Sequence, residues 1–439
     1  MFSSTRTGGR RLAATAGIAT LAFGLAACGG SPASDPEGGA DPEEPITLTV
    51  ATFNNFGYTE ELLAKYTEEH PNVTVEQTVA ATAEDARTNL STKLAAGGEG
   101  LADIEAIEVD WMAEFGQYPD LFEDLASADV EGRWVDWKVQ QGTTPDGKLI
   151  GYGTDIGPEA VCYRQDLFED AGLPSEPAEV AELLGGEDAT WDEYFAAGEK
   201  FVKKSDSAWY DSGMAIYQGL VNQEDAAYEN TDGTPIPLGE NAAVQGLYET
   251  VVAQGEAGLS AGLEQWSEDW NAAFQKDAFA TMLCPAWMTG PIESNSGGVD
   301  GWNVADVFPG GGGNWGGSFL TVPSSGENVE AAKELAAWLT APEQQTAAFE
   351  EAGTFPSQVE AQESEAVQGF TNEFMNDAPV GEIFTNRAAA ITVTPFKGPN
   401  YFTIHQQVQD AVKRVDVEKS AEADESWEKA VAAYDELGL

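Results

Sequence analysis

ITLTVATFNNFGYTEELLAKYTEEHPNVTVEQTV, residues 46–79, holds a strand, a helix and a second strand in one short stretch. Ile46, Leu48 and Val50 alternate with polar neighbours, the two-residue period of a strand. Thr59 stands where a helix N-cap belongs, and Leu62, Leu63 and Tyr66 then follow a helical spacing that stops at His70-Pro71. VTVEQTV (73–79) is the next strand. A second helix carries Leu90 and Leu94 and ends at Gly97-Gly98, and DIEAIEV (103–109) makes a third strand. Strands alternating with helices predict an α/β fold with mostly parallel sheets flanked by helices.

The pattern continues down the chain. Thr190-Trp191-Asp192-Glu193 is a capping box that opens a helix reaching about Val202. MAIYQ (214–218) and FATML (279–283) read as short strands. Asn328 caps a helix over 329–339, Pro342 opens another, and Gly353 closes it. Two helices, near 403–415 and 420–437, end the sequence.

Residues 1–27 read as a signal peptide. Arg6, Arg10 and Arg11 precede an apolar run over 12–27, too short for a comfortable membrane span. The run ends in Leu25-Ala26-Ala27-Cys28, the order of a bacterial lipobox, so Cys28 is expected to carry lipid; the plainer reading is an ordinary cleaved leader with a chance cysteine. Residues 28–45 read as a tether: after Cys28 comes GGSPASDPEGGADPEEP (29–45), all small, Pro, Gly or acidic. No other apolar run is long enough to span a membrane.

Without the leader the chain keeps eighteen basic residues against 75 acidic ones, a formal charge of −57. That surface repels nucleic acid and anionic membranes. The length after residue 45 suits two lobes. Cys162 and Cys284 remain once Cys28 is assigned to lipid; outside the cell they form one disulfide or stay as two buried thiols. The chain has only His70 and His405 and no clustered metal ligands, no phosphate-binding G-x-x-x-x-G-K-[ST] frame and no G-x-S-x-G elbow. No metal and no cofactor is expected, and no catalytic residue is assigned.

Ligands of open α/β sheets bind beyond the carboxyl ends of the strands. Asn54, Asn55 and Phe56 follow the first strand; Asp110 and Trp111 follow the third. Polar groups beside an aromatic suit a sugar, whose hydroxyls seek carboxylates and amides and whose CH face seeks a flat ring. The alternative for each is a turn with a core aromatic. Of the twelve tryptophans, Trp287 follows the strand FATML, Trp315 lies in GGGGNWGGS (310–318), and Trp270 lies with Trp266 in QWSEDW (265–270). Trp191, Trp338 and Trp427 sit at helical positions and read as packing.

Taken in order, these segments resemble the extracellular sugar-binding lipoproteins of bacterial ABC importers, the group that includes maltose-binding protein. The likeness lies in 46–76; in TKLAAGGEGLADIEAIEVDW (92–111); in DGKLIGYGTDIGPEAVCYRQDLFEDAGLP (146–174); in TWDEYFAAGEKF (190–201); in FQKDAFATMLCPAW (274–287); and in GGSFLTVPSSGENVEAAKELAAWLTAPEQQ (316–345). TFNNFGY and VDWMAEF are similar to the actinobacterial cello-oligosaccharide-binding branch. The run before Trp287 departs from the usual small-residue pattern, reading Lys276-Asp277-Ala278-Phe279-Ala280-Thr281-Met282.

The resemblance implies a two-lobe periplasmic-binding-protein-like fold with the ligand in a hinged cleft. Lobe 1 is expected to take 46–154 and 300–384, lobe 2 155–299 and 385–439. Asp110 and Trp111 would serve the first lobe and Trp287 the second, with Tyr401 of PFKGPNYF (395–402) as a further aromatic contact. Asp155, near the crossing, would be ligand or hinge. The implied function is capture of an oligosaccharide, a cello-oligosaccharide by the branch likeness, for ABC permease subunits by a monomer that meets the membrane only through its lipid. An extracellular glycoside hydrolase is the rival, since two carboxylates at the right separation would suffice. A binder of another solute, such as a peptide or an amino sugar, is the other.

Overall fold

A computed structural model of the chain describes residues 44–439. The leader, Cys28 and the tether as far as residue 43 lie outside the described residues. Nine strands follow: β1 Ile46–Phe53, β2 Val73–Ala80, β3 Ile104–Glu108, β4 Tyr152–Gly153, β5 Glu159–Arg164, β6 Ala208–Tyr210, β7 Phe279–Pro285, β8 Trp302–Ala305 and β9 Ser318–Thr321. They form two sheets, ordered β2-β1-β3-β9-β4 and β6-β7-β5-β8.

The opening stretch folds as its pattern dictates. β1 pairs parallel with β2 from Ile46 opposite Val73 to Phe53 opposite Ala80, and parallel with β3 at Val50 and Ala51. Thr59 Oγ1 accepts from the Leu62 amide at 3.1 Å, satisfying one of the free N–H groups that every helix start leaves. Thr190 and Glu193 form the expected capping box, and Gly353, at φ 72°, ends Pro342–Ala352.

Three expectations need correction. The sheets are mixed, not mostly parallel. β9 returns from the other lobe and enters antiparallel between β3 and β4, and β5 lies antiparallel to both β7 and β8. MAIYQ belongs to the helix Gly213–Val221, capped by Ser212; a short, mostly apolar run carries no period that separates helix from strand. The return to lobe 1 at residue 300 comes too early, because β8 is a strand of the second sheet. Val367, Met375, Val380, Ile383 and Phe384 also pack with Cys162 and Met282 against that sheet. Of the 300–384 stretch, the first sheet receives β9 and the helices that bring Leu335, Leu339 and Ala348 into its core.

The second sheet is buried on both faces. Val161 and Tyr163 of β5 point into one apolar cluster, and Ala160 and Cys162 into another. Cys162 and Cys284 are joined as a disulfide between β5 and β7, with Cα atoms 5.4 Å apart.

Candidate functional site

The chain passes between the two sheets three times, and the passages lie side by side. The first, 153–159, joins β4 to β5; the second, 306–317, joins β8 to β9. They bond as a ribbon: Trp315 N–H donates to Gly157 O (2.8 Å), Glu159 N–H to Gly313 O (3.1 Å) and Thr154 N–H to Ser318 O (2.9 Å). Asn314 fastens them further, its Oδ1 accepting from Gly157 N–H at 2.9 Å. The third passage, 353–358, adds Ile156 N–H to Phe355 O at 2.8 Å. The crossings expected near 300 and 385 therefore sit near 306–317 and 353–358. The backbones meet so closely that a Cβ on Gly157 would fall 1.7 Å from Trp315 O.

Aromatic rings and buried charges gather around this ribbon. Trp287 follows β7, and its indole N–H donates to Trp315 O at 3.0 Å. The two rings meet edge to face with centroids 5.6 Å apart, and both are partly exposed. A Cβ on Gly316 would lie 3.3 Å from Trp287 Nε1 and 3.9 Å from Glu108 Oε1. Glu108, the last residue of β3, thus brings a first-lobe carboxyl up to the second lobe's indole.

Asp110 leaves β3 in the first turn of the helix Val109–Gly116, with Glu108 Oε2 accepting from its N–H at 2.7 Å. Its carboxylate pairs with the Lys397 ammonium. Lys397 also lies over the Tyr401 ring, 4.9 Å from its centroid. Burial pushes the Glu108 carboxyl up to about 8, with Asp110 adding to the rise and Lys397 and Lys138 opposing it. Glu159 rises to about 8 through burial, opposed by Lys397, and neither of its oxygens has a hydrogen-bond partner. The Lys138 ammonium, also without one, lies over the Phe319 ring at 3.9 Å. Burial brings it down to about 8, although Asp155 and Glu108 favour its charge. Among the described residues no group of three or more His, Cys, Asp or Glu is arranged to hold a metal.

A profile of bacterial extracellular solute-binding proteins matches residues 61–375. A solved extracellular solute-binding protein of family 1 is 46% identical and superposes with a TM-score of 0.80, covering 90% of this chain and all of that one. The chain belongs to the bacterial extracellular solute-binding protein family. An arabinooligosaccharide-binding protein of Halalkalibacterium halodurans is 22% identical over 64% of this chain. A lactose-binding protein of Rhizobium radiobacter is 25% identical over 58% of it. This solute-binding protein spans 63% and 58% of the length of those two relatives.

The expected site residues of this solute-binding protein divide into groups. Trp287 and Trp315 meet at the lobe junction, and Asp110 is tied to it through Glu108 and Lys397. Asp155 lies in the first passage, its Oδ1 accepting from Ser318 N–H (2.9 Å) and Thr154 Oγ1–H (2.6 Å). Tyr401 is near but buried, stacked on His405 with centroids 5.6 Å apart and facing Lys397 on its other contacts. Asn54 and Asn55 are exposed on the turn after β1, where Asn55 Oδ1 accepts from Gly57 N–H at 2.9 Å. Phe56 packs edge to face on Phe53 and lines a small crevice with Tyr58, Asp155 and Gln345.

Two placements are corrected. Trp111 is 1% exposed and packs against Phe53 and Phe115 in the first core. Asp110 and Trp111 occupy successive helical positions about 100° apart around the axis, so only one of them can face the second lobe. Trp270 is fully buried, and its indole N–H donates to Asp211 Oδ2 at 2.8 Å. Sequence reasoning missed Glu108, Lys138, Glu159 and Lys397. Lys397 alone left a signal: a cation between aromatics in PFKGPNYF, in a chain with few cations.

Proposed function

We propose that this protein captures a carbohydrate, an oligosaccharide in particular, at the junction of its lobes and delivers it to the permease subunits of an ABC importer. The observation that carries the reading is the partly exposed Trp287–Trp315 pair beside the Glu108 carboxyl group, whose neighbour in the chain turn is Asp110. An indole face covers the CH face of a pyranose, while carboxyl oxygens accept hydrogen bonds from its hydroxyls. Asn54, Asn55, Phe56, Asp155 and Tyr401 would surround that centre. The arabinooligosaccharide- and lactose-binding relatives support a sugar as the solute. Lipid on Cys28 would hold the protein, as a monomer, at the outer face of the cell membrane.

A thermal-shift panel tests this. Arabino-, malto- and cello-oligosaccharides, lactose, peptides and amino sugars are each added in excess, since a ligand bound only by the folded state raises the midpoint. A carbohydrate is expected to raise it and to be recovered intact. A peptide that raises it while every sugar fails, or a sugar recovered hydrolysed, would overturn the reading.

A further inference from the structure

Trp266 carries an unusual combination of properties. It is 39% exposed, one of few large apolar side chains on the described surface. Its φ is +70°, a backbone region that bulky L residues avoid because Cβ crowds the backbone. Strain of this kind persists only where the surroundings hold it. Here they do so on both sides. Gln265 Nε2–H and Trp270 Nε1–H each donate to Asp211 Oδ2 at 2.8 Å, Ser267 caps the helix Glu268–Ala273, and Glu264 pairs with Lys413 at 2.6 Å.

The loop so fixed presents an indole to solvent in register with the site. Trp266 and Trp287 are stacked, centroids 6.1 Å apart and 25° from parallel, and Trp287 meets Trp315 edge to face. The three rings make a continuous aromatic surface from the lobe junction outward. Trp266 also packs on the buried Trp270, with centroids 5.2 Å apart, and the rest of its indole stays in water on a strained backbone.

We propose that Trp266 is an outer sugar subsite, and that the ligand is an oligosaccharide whose far ring leaves the junction and lies on this indole. The proposal rests on the carbohydrate reading above and adds chain-length selection to it. The pinned turn spares the bound state the ordering of a flexible loop, which is how preorganised aromatic contacts gain affinity.

Calorimetric titration of the full chain with cello-, malto- and arabino-oligosaccharides of one to five rings tests it, using wild type, Trp266→Phe and Trp266→Gly. Glycine suits the positive φ, so Trp266→Gly keeps its fold, checked by an unchanged or higher midpoint. In the series that binds, wild-type affinity should climb with ring number. Trp266→Gly should lose about tenfold on the longest members and stay within about twofold on the shortest, with Trp266→Phe between. Equal loss at every length, or none at any, overturns the outer subsite and leaves the carbohydrate reading standing. If no series binds the wild type, the outer subsite falls, and the thermal-shift panel, which adds lactose and amino sugars, decides the carbohydrate reading.

Discussion

Lys397, on the segment that leads into the helix Tyr401–Asp416, pairs across the lobe junction with Asp110 at the head of the helix Val109–Gly116. Phe396 N–H donates to Asp225 O at 2.8 Å and Asn400 N–H to Glu229 Oε1 at 3.1 Å, fixing the segment to the second lobe on either side of the lysine. Both charged groups are mostly buried, so removing one strands the other. Lys397→Met and Asp110→Asn should each lower the melting midpoint, and the double variant should lose less than the sum of the two. Thermal unfolding of all four proteins measures the coupling, and strict additivity would mean the pair does not interact.

Glu159 sets a pH dependence. Its folded carboxyl titrates at about 8, against about 4.3 for an ordinary glutamate. The folded state therefore holds the proton more tightly. Its contribution is full below about pH 4.5 and is lost as pH rises to about 8. Glu159→Gln, which never ionises, should match wild type near pH 5 and melt several degrees higher at pH 8. Melting curves at the two pH values decide this, and parallel behaviour of the two proteins would count against it.

The Cys162–Cys284 bond closes a loop between residues 122 apart. Cross-linking over such a span restricts the unfolded chain by about 4–5 kcal/mol. Cys162→Ser/Cys284→Ser should melt roughly 10 °C lower than wild type, and dithiothreitol should lower only the wild type. Calorimetry with and without reductant is the check. An insensitive wild type would show that the thiols are free.

Gly157→Ala should damage the junction severely, because the new Cβ would fall 1.7 Å from Trp315 O and 3.1 Å from Trp287 Nε1. Gly246→Ala, in the interior of the helix Ala242–Glu256, meets nothing within 4 Å and should stabilise by about 0.5–1 kcal/mol. Denaturant titration compares the two, and a tolerant Gly157→Ala would contradict the close approach.

Cys28→Ser should move the protein from the membrane fraction to the medium, since one uncoupled signal no longer retains it. Immunoblots of washed membranes and supernatant report the shift. Retention of the variant through a salt wash would exclude lipid on Cys28.

The first βα units were legible because their evidence is local: alternation in 46–53, a cap at Thr59, glycines at 97 and 98. Asp110 and Trp111 show where locality fails. The strand ends at Glu108, and one helical step separates a side chain paired with Lys397 from one in the core. β8 was assigned to the wrong lobe because Trp302–Ala305 carries no mark of its partner, which is β5, more than 130 residues earlier. Lys397 meets Asp110 at a separation of 287 residues. Nothing in the type of Trp266 announces a positive φ.

The place of β9 has a kinetic meaning. It stands between β3 and β4 in the first sheet, yet it begins only at Ser318. A nascent chain shorter than that has a first sheet without its fourth strand, and the two residues of β4 have no neighbour to pair with. Closing loops this long is entropically costly and slow. Synthesis therefore runs well past its midpoint before the first sheet can gain the strand that joins β3 to β4.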